Sequence, residues 1–203
     1  TVDLADAVLT TDPSEVVIDP NVDVVVEVIG GIEPARSLIL QAIANGKSVV
    51  TANKAVIARH GPEIASAAKA AGVYVLIEAA VGGGIPIIEP LKQSLGGNRI
   101  NRVSGIINGT TNYILTRMAD EGAAYADVLA EAQRLGYAEA DPAADVDGLD
   151  AADKIAILSA LAFGGTVDRD ALPTTGISAL QGRDVEYARQ LGYGVKLLAV
   201  AER

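Results

Sequence analysis

Hydrophobic and polar positions follow two different periods along the first part of the chain. Two apolar runs, 22–29 and 73–77, are rich in valine and isoleucine and are typical of strands buried on both faces of a sheet. A shorter apolar pair, Val49 and Val50, lies between them, and helical periodicity fills the intervals. Alternating strands and helices predict a parallel sheet with right-handed crossovers, one half of a doubly wound nucleotide-binding fold.

Proline and glycine mark the ends of the two helices in this part. The first helix begins after Pro34 and ends where Gly46 supplies a left-handed stop. The second is predicted to begin at 61–62, because proline is favoured in a first turn and disfavoured in a helix interior, and it ends at Gly72.

The pattern changes near residue 78, after which strands and helices are mixed. Strands are predicted at 100–107 and 195–201, and helices at 86–95, 113–118, 125–135, 150–163 and 182–191. We therefore predict an α/β fold: a partial Rossmann-like parallel sheet, residues 1–78, followed by an α+β domain, residues 79–203.

Composition excludes several classes of function. Half of the 203 residues are hydrophobic, so the chain is a folded globular protein. A net charge of -10 and 3% aromatic residues argue against nucleic-acid binding. No apolar run approaches the roughly 20 residues of a membrane span. The absence of cysteine excludes disulfides and zinc–thiolate sites and fits a cytoplasmic protein.

An acidic loop that runs into a helix is the most informative feature for chemistry. Asp150 and Lys154 are four residues apart, so both side chains emerge from one face of the first helical turn. A carboxylate beside an ammonium, with further carboxylates upstream, can bind an amino-acid-like substrate and exchange a proton. The alternative is a solvated helix pair of about 0.2–0.5 kcal/mol. Asp153, about 100° away on the helix, is expected to be solvated.

A calcium loop is a second alternative for the same segment. Asp145, Asp147 and Gly148 match the third, fifth and sixth positions of the EF-hand pattern. The first position would then be Ala143, and the twelfth, which needs a bidentate glutamate, would be Lys154. A cation there repels the metal, so we reject calcium.

Four further elements lie at strand ends or loop-to-helix junctions, where open sheets place ligands. Gly30 and Gly31 allow close approach of a nucleotide, or form only a tight turn. Lys54, after the short strand, can reach a phosphate or carboxylate, or is a surface cation. The segment 78–86 suits a hard monovalent cation, or is a flexible turn. The segment 108–113 opens a helix whose free amides could receive a carboxylate.

These motifs in this order resemble the homoserine dehydrogenase family over essentially the whole chain. They are Thr-Ala-Asn-Lys at 51–54, Glu-Ala-Ala-Val-Gly-Gly-Gly-Ile-Pro at 78–86, Asn-Gly-Thr-Thr-Asn-Tyr-Ile-Leu at 108–115, Leu-Gly-Tyr-Ala-Glu-Ala-Asp-Pro at 135–142 and Asp-Val-Asp-Gly-Leu-Asp-Ala-Ala-Asp-Lys at 145–154. The resemblance implies reversible oxidation of L-homoserine to L-aspartate 4-semialdehyde with NAD or NADP, in the biosynthesis of threonine, methionine and isoleucine.

The resemblance also implies roles for individual residues. Lys154 would be the acid/base lysine, with Lys54 the alternative. Asp150 and Glu139 would hold the substrate hydroxyl and ammonium, and Thr110 would touch the substrate. The implied cofactor residues are Gly30, Lys54 and Gly136, and the implied sodium ligands are Glu78, Val81, Gly83 and Ile85. The resemblance further implies that residues 79–203 are the α+β substrate and dimerisation domain, incomplete at its C-terminus, of a homodimer or homotetramer that binds a small amino-acid substrate.

The chain departs from the family pattern at both ends. We find no strand-linked Gly-x-Gly-x-x-Gly loop, so we expect an internal piece of a longer protein that is inactive by itself and whose preference between NAD and NADP is not readable. Two alternatives stay open: a non-catalytic dimerisation fragment, and a related amino-acid or semialdehyde dehydrogenase. His60, on the polar side of a short helix, is assigned no role.

Overall fold

The strand and helix alternation of the first part folds as a three-stranded parallel sheet. The structure is a computed structural model that describes residues 7–203. The chain divides into unit 1, Thr1–Ala80, and unit 2, Val81–Arg203, each of which is described by itself. No helix in the described range is both long enough and apolar enough to cross a bilayer.

Unit 1 places its helices between successive strands. Its strands are Val24–Glu27 (β1), Ser48–Thr51 (β2) and Val75–Leu76 (β3), its helices are Pro13–Ile18 (α1), Ala35–Ala44 (α2) and Lys54–Ala71 (α3), and a 3-10 turn covers Glu78–Ala80. β2 lies between β1 and β3 and is parallel to both, with Val25 opposite Val49 and Val49 opposite Val75. The predicted parallel sheet is confirmed.

Two details of unit 1 differ from the prediction. α3 begins at Lys54, well before the predicted start, and Pro62 lies inside it. The Asn53 side chain caps the helix, and burial of Val56 and Ile64 contributes enough to outweigh the roughly 3 kcal/mol that an interior proline costs. β1 is covered on one face only, since Val26 is 65% exposed within the described part of the chain.

Unit 2 joins an antiparallel pair of strands to a cluster of helices. Its strands are Arg102–Gly105 (β4) and Ala199–Glu202 (β5), its α-helices are Gly109–Glu121 (α4), Tyr125–Arg134 (α5), Ala143–Val146 (α6), Leu149–Phe163 (α7) and Gly182–Gln190 (α8), and Pro90–Ser94 and Arg169–Ala171 are a π-helix and a 3-10 turn. β4 pairs with β5, Arg102 opposite Glu202.

The core of unit 2 explains this arrangement. One cluster of buried apolar side chains joins α4, α5, α6, α8 and the loop before α8, and its members are Ile114, Leu115, Met118, Val128, Val146, Val185 and Ile177. Helix α7 buries further apolar side chains, among them Ile157 and Leu158. Both strands are shorter than predicted, and the acidic loop contains the unpredicted helix α6. The helix predicted from Pro86 is a π-helical turn that starts at Pro90.

Candidate functional site

The first turn of α7 in unit 2 carries a buried ion pair. The Lys154 Nζ lies 2.6 Å from the Asp150 Oδ2, as the spacing of four predicts. The Asp150 residue is 5% exposed and the Lys154 side chain 18% exposed, so this is not the solvated helix pair of the alternative interpretation. The Lys154 Nζ also donates to the Ile107 carbonyl oxygen, at 2.9 Å.

Two of the three N–H donors of the Lys154 ammonium are therefore used by the protein. The third N–H has no hydrogen-bond acceptor among residues 7–203. Since the group is partly exposed, that N–H can donate to an oxygen atom of a bound molecule.

Asn108 holds the carboxylates of this site together. Its side-chain Nδ2 donates to the Asp150 Oδ2 at 2.9 Å and to the Asp145 Oδ1 at 2.7 Å. Its Oδ1 accepts the Thr111 backbone N–H at 2.8 Å and so caps α4. The sequence predicted that a helix opens within 108–113, which is confirmed, but it did not identify Asn108 as the cap or show its contact with the carboxylates. The signal was a polar residue directly after the predicted strand.

Tight backbone packing brings the acidic loop into this position. The Ile177 backbone N–H donates to the Val146 carbonyl at 2.7 Å. A Cβ atom on Gly176 would lie only 2.2 Å from that carbonyl oxygen, so glycine is required at the contact. The loop after α7 thus fixes the end of α6, next to the turn from which Asp150 projects.

Asp153 is buried, and the prediction that it is solvated is wrong. Its Oδ1 accepts a hydrogen bond from the Arg169 Nε at 2.5 Å, and the two residues are 7% and 5% exposed. The Arg169 Nη2 also donates to the Leu149 carbonyl at 2.9 Å. Arg169 begins the 3-10 turn after α7, and this turn packs against the first turns of α7. Helical periodicity could not predict this contact, because it describes only residues within the helix.

The other predicted substrate residues, Thr110 and Glu139, lie in the first turn of α4 and on the segment after α5. The Thr110 Oγ1 donates to the Tyr137 carbonyl at 2.8 Å, and Gly136 ends the helix with φ +79°. Glu139 is exposed, and in the described structure its carboxylate makes no hydrogen bond or ion pair. The structure therefore brings Asp150 and Lys154 together and gives the Glu139 side chain no contact with either.

One titration shift adjoins the acidic loop. Burial raises the pKa of the Tyr125 phenol above its ordinary value, and the Asp147 carboxylate adds to the rise. A phenol with a raised pKa stays protonated at neutral pH. Tyr125 is thus not a base for this site.

Unit 1 has a separate pocket at the carboxyl ends of β1 and β2. Its volume is about 190 Å³, and the residues that line it are Val28, Gly30, Gly31, Ala52, Asn53, Lys54 and Ala55. Gly30 and Gly31 have φ of +85° and +69°, and a Cβ atom at either would meet no heavy atom within 4 Å. The pocket joins the predicted cofactor residues Gly30 and Lys54.

The lining of this pocket suits part of a dinucleotide. Open backbone at two glycines permits close approach of a ligand, and Lys54 at the first position of α3 brings a cation to a helix N-terminus. The carboxyl ends of parallel strands are where open α/β sheets bind such ligands. No strand-linked Gly-x-Gly-x-x-Gly turn is found in the sequence.

The residues implied as sodium ligands fall in both units. Glu78 begins the 3-10 turn of unit 1. In unit 2, Val81 is buried and Ile85 is exposed, and the Ile85 backbone N–H donates to the Gly82 carbonyl at 3.0 Å. Within the described chain, no group of three or more His, Cys, Asp or Glu side chains is placed to hold a metal. The His60 Nδ1 lies 3.7 Å from a Glu63 carboxylate oxygen, on the surface of α3.

Comparison with known families covers almost the whole chain. Residues 86–202 match the family model described as homoserine dehydrogenase, and residues 1–78 match the model of the homoserine dehydrogenase NAD binding domain. The chain is 65% identical over 201 residues to a homoserine dehydrogenase of Synechocystis sp., and 55% identical over 195 residues to that of Pseudomonas aeruginosa. These matches cover 99% and 96% of this chain, but only 46% and 45% of the relatives.

Solved structures give the same result. A homoserine dehydrogenase from Thiobacillus denitrificans superimposes with a TM-score of 0.93 at 60% identity, covering 96% of this chain and 45% of that protein. A hyperthermophilic archaeal homoserine dehydrogenase in complex with NADPH superimposes with a TM-score of 0.81 at 32% identity, covering 97% and 57%. The chain thus spans about half the length of the relatives that it matches.

Proposed function

The chain belongs to the homoserine dehydrogenase family, and from that premise we propose that the protein interconverts L-homoserine and L-aspartate 4-semialdehyde. The proposed reaction is a hydride transfer with NAD or NADP. The match of residues 1–78 to the family's NAD binding domain supports a nicotinamide dinucleotide as the cofactor, and the NADPH complex of the archaeal neighbour is consistent with it. When bound, the nicotinamide would supply or accept the hydride.

The observation that carries the proposal is the geometry of Lys154. Its ammonium is held by the Asp150 carboxylate and the Ile107 carbonyl, and its third N–H is available to a ligand. In the reductive direction this N–H would give its proton to the aldehyde oxygen, which becomes the hydroxyl of homoserine. In the oxidative direction the same nitrogen would take the hydroxyl proton.

Substrate binding falls to neighbouring residues in this proposal. Asp150 and Glu139 would receive the substrate hydroxyl and ammonium, and Thr110 would contact the substrate. Asn108 would keep Asp150 in place, because it bonds the carboxylate oxygen that also faces Lys154. Gly30, Lys54 and Gly136 would lie against the cofactor, with Lys54 as the second candidate for the proton transfer.

Further elements of the proposal follow from the family. We propose a structural sodium ion bound by Glu78 with the carbonyls of Val81, Gly83 and Ile85. We also propose a homodimer or homotetramer, a cytoplasmic location and a role in the biosynthesis of threonine, methionine and isoleucine. The non-catalytic fragment is not favoured, because it gives no reason for an ammonium that Asp150 and the Ile107 carbonyl hold with one N–H left for a ligand.

The test is an assay of the intact protein with L-homoserine and either NAD or NADP. The assay follows the formation of the reduced nicotinamide by its absorbance. Turnover with homoserine, and less with related hydroxy amino acids, is expected. Lys154→Ala should lower kcat by at least about 100-fold, the usual contribution of general acid catalysis. A larger loss of kcat in Lys54→Ala than in Lys154→Ala would instead assign the acid/base role to Lys54.

Lys196 provides a matched control for Lys154. It is an exposed lysine of the same unit whose Nζ bonds Asn112 and Thr116. Lys196→Ala should leave kcat unchanged. Near-normal turnover in both Lys154→Ala and Lys54→Ala would contradict the proposed mechanism, and absence of turnover with homoserine in the wild type would contradict the proposed substrate.

A further inference from the structure

The last residue of β1 is a buried glutamate that the proposed reaction does not use. Glu27 is 3% exposed, and it lies directly before the loop that carries Gly30 and Gly31. The neighbouring strand β2 ends at Thr51, directly before the loop that carries Asn53 and Lys54. Both loops line the unit 1 pocket.

The Glu27 carboxylate accepts hydrogen bonds from both loops. From its own loop, the Ile29 backbone N–H donates to the Oε1 at 2.8 Å. From the other loop, the Thr51 hydroxyl donates to the Oε2 at 2.5 Å, and the Asn53 Nδ2 approaches the Oε1 at 3.4 Å. The carboxylate thus connects the loop after β1 with the end of β2 and the loop that follows it, 24 to 26 residues away in sequence.

Asn53 and Thr51 extend these bonds to the lining of the pocket. The Asn53 Nδ2 donates to the Gly31 carbonyl at 2.8 Å, and its Oδ1 caps α3, which begins with Lys54. The Thr51 hydroxyl oxygen accepts the Asn53 backbone N–H at 2.9 Å. A change at Glu27 would therefore reach both the glycine loop and the backbone that carries Lys54.

A carboxylate is the side chain that this position requires. An ionised carboxylate has only acceptors and carries a negative charge, so donors from both segments can converge on it, whereas an uncharged amide would replace these charge-assisted hydrogen bonds by weaker ones. Among the described residues no cation pairs with Glu27, so these hydrogen bonds compensate the cost of its burial.

We propose that Glu27 is a positioning residue that holds the two loops of this pocket in the conformation that receives the dinucleotide. This inference rests on the proposed function, which makes the pocket a cofactor site. Glu27 acts through Asn53 and Thr51, and it need not touch the ligand.

The test is Glu27→Gln in the intact protein, with binding of NADPH and NADH followed by nucleotide fluorescence. The substitution keeps the size of the side chain but removes the negative charge that accepts these hydrogen bonds. The dissociation constant should rise about tenfold, the effect of losing one hydrogen bond to a charged group. The KM for the nucleotide should rise with it, while kcat at saturation changes little.

Two further variants separate positioning from mere stability. Ile39→Val removes a methylene from the core of the same unit away from the pocket, so it should lower the melting temperature and leave nucleotide binding unchanged. Thr51→Val should weaken binding as Glu27→Gln does. The double variant Glu27→Gln/Thr51→Val should bind the nucleotide no more weakly than the single variant that has the lower affinity. Both substitutions break the same hydrogen-bond network, so their effects should not add.

The outcomes distinguish this inference from the proposed function. Unchanged nucleotide affinity in Glu27→Gln and Thr51→Val would overturn the inference, as would an equal loss of affinity in Ile39→Val. If the wild type binds neither nucleotide, the proposed function itself fails. If Glu27→Gln does not fold, the milder Glu27→Asp takes its place in the double variant with Thr51→Val. Additive losses of nucleotide affinity in that double variant would overturn the inference.

Discussion

The two units use the same residue type in the same place for different purposes. Asn53 in unit 1 and Asn108 in unit 2 each follow a strand or extended segment and cap the next helix through the Oδ1. The amide nitrogen of Asn53 donates to the Gly31 backbone carbonyl at 2.8 Å, and its hydrogen bond to a carboxylate, that of Glu27, is long at 3.4 Å. The amide nitrogen of Asn108 bonds two carboxylates, those of Asp145 and Asp150.

This difference corresponds to two kinds of site. The unit 1 pocket is bounded by glycine backbone and the start of a helix, so its shape depends on main-chain conformation. The unit 2 site and the Asp153–Arg169 pair beside it contain charged groups that are buried or half-buried, so their integrity depends on each charge having a partner. Substitutions should therefore affect binding in unit 1, and both stability and chemistry in unit 2.

The largest expected effect is on stability, at the ion pair beside the unit 2 site. Asp153→Ala leaves the Arg169 guanidinium buried without its carboxylate, and breaking such a pair costs about 3–5 kcal/mol. The free energy of unfolding of the intact protein in urea should fall by this amount. Asp120→Ala, on the exposed side of α4, is the control and should change it by less than about 0.5 kcal/mol.

Replacing both partners tests the reason for this effect. Asp153→Leu combined with Arg169→Met removes both charges, so most of the lost stability should return. If Asp153→Ala unfolded as the wild type does, the pair would not be a structural element of unit 2.

The next effect compares the two asparagine caps. Asn108→Ala removes a cap and the donor to two carboxylates, so it should destabilise the protein by about 2 kcal/mol and lower kcat with homoserine. Asn53→Ala should cost about 1 kcal/mol and weaken nucleotide binding. Urea unfolding, kcat and nucleotide affinity measured on both variants give the comparison. Equal loss of kcat in the two variants would remove the distinction between the sites.

The smallest effect concerns the backbone of the unit 1 pocket. Gly30→Ala meets no steric obstacle, but its positive φ should cost about 1 kcal/mol and shift the loop, so nucleotide affinity should fall. Gly46→Ala is a matched control, because Gly46 has φ +75°, the same open surroundings and a place outside the pocket. Similar affinities in the two variants would show that the conformation at Gly30 is not used in binding.

Local features could be predicted well from the sequence. The spacing of Asp150 and Lys154 predicted that their side chains meet, and glycine after α2 and α3 predicted where these helices end. The family motifs predicted the relatives that the comparisons found. The assigned roles of Glu139, Thr110 and the sodium ligands stay predictions.

Features that depend on distant parts of the chain could not be predicted. α3 extends through Pro62 because Asn53 caps it and its apolar face is buried, and a rule based on proline alone cannot weigh these terms. Asp153 is buried because Arg169, sixteen residues later, returns to it. In the sequence, Glu27 is one polar residue within a predicted strand, and only the pairing of β1 with β2 brings the Thr51 hydroxyl to its carboxylate.

The sequence by itself determined the order of the strands, the glycines at which α2 and α3 end and the meeting of Asp150 with Lys154, because each depends on neighbours within about one turn or one strand. Only the tertiary structure decided which charges are buried and what they bond. Burial depends on which segments pack together, and a charge is stable in the interior only where such a segment brings a partner.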